Sequence, residues 1–227
     1  MSNFDSDSGS EGEWEDRGEL AWNEFDWERY LREQDEAITR YLRFYETCKN
    51  SPDRIDAVAE KMGWGQDDWA DDDASDSDDA AEDDEDNFDE KEDVYTLHKN
   101  PIFISTKAIY LGLQRSWQAV ASEPARVPQP LAVALLGSIH RGEEVAVQAI
   151  HALDFGDYAM AVSLFKRALS ELNASLALVN GDAALRYRHV AGWREDALPR
   201  IFDLREIWLR VIAECREELE RPIDEEE

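Results

Sequence analysis

Basic residues are scarce in this chain: 24 Lys and Arg stand against 53 Asp and Glu, a formal charge of −29 over 227 residues. A field of that sign repels nucleic acid and anionic membrane, because proteins that bind either normally present a basic face. No direct nucleic-acid or membrane partner is therefore expected. Cysteine is nearly absent as well. Cys48 and Cys215 are the only two, with no Cys-x-x-Cys pair, so the spacing of a disulfide framework, a zinc site or a redox motif is missing. Two free thiols in a reducing cytoplasm is the plain expectation. The longest strongly apolar run, Leu131 to Leu136, falls far short of the roughly 20 residues of a spanning helix. Met1 to Ser8 has neither a basic n-region nor an apolar h-region, so a secretory signal is not expected. Gly-x-Ser-x-Gly, a Gly-rich phosphate loop, His-Glu-x-x-His and a dinucleotide fingerprint are all missing, and no cofactor is implied.

What is present is negative charge, unevenly placed. Residues 1–97 hold 34 acids and 9 bases, net −25, whereas 98–227 hold 19 and 15, net −4. Between Gln66 and Asp93 stand seventeen Asp or Glu and one base, Lys91. So charged a segment cannot offset the entropy of ordering its backbone, and a solvated tether is expected there. The sequence divides into an acidic disordered tail (1–18), an N-terminal helical segment (19–64), a disordered acidic linker (65–97), a C-terminal helical bundle (98–221) and an acidic end (222–227).

The helices are read from a 3.6-residue period. Trp27, Tyr30, Leu31, Ile38, Tyr41, Leu42 and Tyr45 share one side of a helix from Glu24 to Cys48, and Phe25 and Trp27 are expected to dock with it. A second short helix runs from Asn50-Ser51-Pro52-Asp53 through Met62 and stops at Gly63. A pair this small cannot bury its aromatic face alone, so it must dock on the C-terminal part, on another copy or on a partner. Asn100-Pro101 caps a helix reaching about Ala121. Further helices are expected over 131–153, 157–179, 183–190 and 195–220. No alternating, strand-like run occurs. The fold class is all-α, an antiparallel bundle with an N-terminal amphipathic helix and a disordered acidic linker.

Gly156-Asp157-Tyr158, Ala161-Val162, Phe165 and Ala168-Leu169 lie at the spacing of the second half of a tetratricopeptide repeat, which residues 143–172 resemble. In that family the Gly allows the tight turn between helices, and the aromatic and small residues pack helix on helix. Ala149 fits the preceding helix, but His151 stands where Ala is usual. No second copy follows at 34 residues, and an array needs about three, so the resemblance implies one repeat-like hairpin inside a bundle and a leaning toward protein binding.

Three constellations carry chemistry. His140, Glu144 and His151 lie within about 40° on one helix face with Asp154 beside them, a set able to ligate Zn²⁺ or a similar cation. The two imidazoles, however, are about 16 Å apart along the axis, too far for one ion. In the acidic tract, Asp71, Asp73, Ser75, Ser77, Asp79 and Glu82 occupy the offsets of a calcium loop, but Asp76 stands where the turn needs Gly. Weak condensation of divalent cations is what such a tract implies. Arg194, Arg205 and Arg216 recur every eleven residues and share an angle with Leu198, Ile201, Ile212 and Leu219, so they are expected on the apolar side of the last helix. They either snorkel to its rim or form a groove for carboxylates, the acidic tract among them. Finally, Trp64, Trp69 and Phe88 stand among acids as apolar anchors for a basic surface.

These features favour a non-catalytic interaction or adaptor module whose acidic, aromatic-bearing N-terminal region binds a basic partner protein. The alternatives are a nucleic-acid mimic or chaperone for basic nucleic-acid-binding proteins, and an all-α metal-dependent enzyme using the His140/Glu144/His151 face. The oligomeric state is left open.

Overall fold

The computed structural model describes residues 22–64, 97 and 99–221. The expected tail, acidic linker and acidic end lie outside them, apart from a few flanking positions. Every described element is a helix: α1 (Glu24–Thr47), α2 (Arg54–Met62), α3 (Pro101–Ala121), α4 (Gln129–Asp154), α5 (Tyr158–Asn180), the single turn α6 (Asp182–Leu185) and α7 (Arg188–Glu220). The all-α bundle expected from the periodicity is what forms.

Local chemistry sets the boundaries. Asn23 accepts from the Phe25 and Asp26 amides at 2.8 and 3.2 Å, and Asp26 accepts in return from the Asn23 amide at 3.1 Å, a complete capping box. Asn100 accepts from the amides of Ile102 and Phe103, both at 3.0 Å, with Pro101 pre-set for the first turn of α3. Gly63 ends α2 at φ 81°, and Gly156 turns between α4 and α5 at φ 72°; both are left-handed positions that a Cβ would strain.

Helix α3 is buried on most of its circumference and is the centre of the molecule. Helices α1, α4 and α7 pack against it, and α5 closes the ring between α4 and α7. Helices α4 and α5 form the most intimate pair, because Gly142, Ala146 and Ala149 on one and Ala161 and Ala168 on the other let the backbones approach. Phe165 fills the space beside this seam. Three buried indoles find acceptors: Trp117 on the Ala132 carbonyl at 3.1 Å, Trp193 on Ser116 at 2.9 Å and Trp208 on Thr106 at 3.2 Å.

Helices α1 and α2 dock on α3 and α7 of the same chain: Ile38, Tyr41, Tyr45 and Val58 belong to the same core as the bundle. The docking stops short of the start of α1. Phe25 is 75% exposed, and Trp27, 37% exposed, packs on Trp22 and Tyr30. The other departure is α7, a continuous helix of 33 residues that begins at Arg188, seven positions before the expected start. Pro199 lies inside it. Pro cannot donate to the helix ladder, yet the buried series Val190, Trp193, Ala197, Ile201, Leu204 runs through it unbroken, and that burial outweighs the lost hydrogen bond.

Candidate functional site

The N-terminal hairpin is fastened by ions. Asp203 on α7 accepts from Arg54 Nε at 2.7 Å, from Arg54 Nη2 at 2.6 Å and from the Tyr45 hydroxyl. One helical turn before it, Arg200, only 6% exposed, donates to Glu46 at 2.7 Å and to Asp196 at 3.0 and 3.1 Å. The Tyr45 ring lies between the guanidiniums, 4.8 Å from Arg54 Cζ and 5.5 Å from Arg200 Cζ. Burial, with the Asp203 carboxylate beside it, pushes the Tyr45 phenol well above its ordinary pKa, so it stays a donor. All of its members are paired, and its chemistry is that of a clasp.

Beside the clasp a cavity of about 540 Å³ opens between α2, the first turns of α3 and the C-terminal half of α7. Its walls are Tyr41, Ile55, Ala59, Trp64, Ile102, Ile207 and Val211, and its mouth carries Asp56, Glu60, Arg210 and Glu214. Tyr41 is stacked between Tyr45 and Trp64, with centroids at 6.2 and 5.6 Å. Arg210 is spoken for: it grips both oxygens of Asp56 at 2.6 and 3.2 Å and also reaches Glu206 at 3.1 Å. That grip holds the Asp56 carboxyl below the usual range. Glu60 and Glu214 have no ion pair among the described residues, and burial followed by the neighbouring Glu217 raises Glu214. The Tyr41 hydroxyl is enclosed and makes no hydrogen bond with any described residue. The Tyr110 hydroxyl is also unpartnered, but it presses on Gly142 away from the cavity.

Of the anchors expected from sequence, Trp64 lies in this cavity, half-buried; Trp69 and Phe88 fall outside the described residues. The arginine stripe is turned outward more than its periodicity implies. Arg194 is half-buried and donates to Asn180 at 2.6 Å, whereas Arg205 and Arg216 are exposed. The buried face of α7 centres on Trp193, Leu204 and Val211, which places the stripe about a quarter-turn away, on the flank. His140, Glu144, His151 and Asp154 all line the exposed side of α4, and among the described residues no three metal-ligating side chains converge. Arg54, Arg200 and Asp203 were not legible as a cluster, because their partners are about 150 positions distant. The one local hint was a charged residue, Arg200, set among the buried positions of α7.

Comparison of the chain with protein-family models, with curated proteins and with solved structures finds no match. No described helix is long and apolar enough to cross a membrane.

Proposed function

We propose that this chain is a non-catalytic interaction module that binds a basic partner protein. The observation that carries the reading is where the charge is fastened. Residues 65–96 hold seventeen acids and one base. The described chain leaves this stretch's two flanks at one place: Trp64 before it and Pro101 after it both line the same cavity. Both of its attachment points are therefore on one face of the molecule, and its seventeen acids carry a strong negative field. Such a field raises the local concentration and association rate of cations and basic surfaces. Cys48 and Cys215 are both free, which suits a cytoplasmic setting.

The reading is tested by calorimetric titration of the full chain with oligolysine. Binding should weaken about tenfold on raising salt from about 50 to 200 mM, as screened charges require. Full-length protein with the acids of 67–93 replaced by Asn and Gln should lose most of it. Oligolysine binding that survives this replacement would remove the proposal. Displacement of the oligolysine-bound state by a basic nucleic-acid-binding protein, with DNA restoring it, would specify the partner as one that a polyanion mimics.

A further inference from the structure

The cavity between α2, α3 and α7 has two properties that belong together. Its walls are apolar and aromatic, and its mouth holds two exposed carboxylates, Glu60 and Glu214, without ion pairs among the described residues.

We infer that this groove seats an amphipathic, Lys- or Arg-bearing segment of the basic partner, whose aliphatic side contacts Ile55, Trp64, Ile207 and Val211 and whose cationic heads meet Glu60 and Glu214. The inference rests on the proposed function and adds the anchoring site to it. Charge selects this occupant over the two nearest rivals. The chain's own tract would bring seventeen acids onto Glu60 and Glu214, and a second copy would bring another −29. Arg210 does not reverse the balance, since Asp56 and Glu206 already take its donors. Lys and Arg suit a mixed groove of this kind, because their long stems bury against apolar walls while the heads remain at the rim. In this arrangement the tract steers the encounter and the groove fixes the register, the usual division between long-range charge and a buried apolar anchor.

The test compares two probes on the full chain: an amphipathic Leu–Lys peptide and an oligolysine of equal charge. The amphipathic peptide should bind about tenfold more tightly, with chemical-shift changes at the methyls of Ile55, Ile102, Ile207 and Val211. Ala59→Trp, which fills the groove, and Glu60→Lys with Glu214→Lys, which alters only exposed rim positions, should each abolish that about tenfold preference while oligolysine binding stays within about twofold. An unchanged preference in the rim double variant would overturn the inference, and that variant serves even if Ala59→Trp misfolds. Equal binding of an uncharged Leu–Gln peptide would overturn it as well. The tract-neutralised chain separates the two levels: loss of oligolysine binding there, with the groove variants silent, leaves the function standing and removes only the groove.

Discussion

Asp203 gathers three donors from two other helices, two from Arg54 and one from Tyr45. Its side chain and that of Arg54 are 16% and 10% exposed, so neither charge can return to water if the other is lost. Breaking a buried pair by truncating one partner is far more costly than the pair is worth, because the survivor stays desolvated. Asp203→Ala is expected to cost about 3 kcal/mol in urea unfolding. Arg54→Met with Asp203→Leu, which removes both charges, should cost clearly less, and an equal loss in the double variant would contradict this account. The same logic explains why Arg200 is tolerated in the core. Glu46 and Asp196 are 43% and 36% exposed, so they bring charge to the guanidinium while remaining partly hydrated themselves.

At the scale of the element, close approach decides more than helix propensity. Gly142 on α4 is buried against the tip of the Tyr110 ring on α3, and a Cβ there would come within 2.6 Å of the phenolic oxygen. Tyr110 is enclosed and cannot retreat, so Gly142→Ala should destabilise the protein by about 2 kcal/mol in spite of alanine's better helix propensity. Thermal unfolding followed by circular dichroism reads this, and Tyr110→Phe with Gly142→Ala should recover part of the loss. The end of α2, the start of α3 and the turn between α4 and α5 were legible beforehand because caps and breakers are local: Gly63, Asn100 and Gly156 act within a few positions. The start of α7 was not. Gly192 weakens the helical pattern locally, and what carries the helix back to Arg188 is the core packed along Val190 to Leu204.

For the whole molecule, three of the buried phenols make stability depend on alkaline pH. Tyr41, Tyr45 and Tyr110 are all raised, chiefly by burial, with Asp203 adding to the first two and Glu143 to the third. Unfolded tyrosine ionises near pH 10. A folded pKa above that value gives stability that is complete below about pH 10 and lost as pH climbs toward the folded values, since only the unfolded chain can shed these protons. Absorbance at 295 nm should therefore show these phenols ionising together with unfolding above about pH 10, and free titration of all tyrosines in a folded chain would contradict it. The sequence by itself determined the all-α class, the helices of the bundle and the strongly negative net charge, because periodicity, capping and net charge are properties of short windows or of simple sums. Only the tertiary structure decided that α1 and α2 dock on α3 and α7, that Arg200 and not the Arg205/Arg216 stripe is buried, and that Tyr41, Trp64 and Glu214 meet around one groove. Those outcomes depend on pairings of residues separated by as many as 158 positions, and no local rule carries that information.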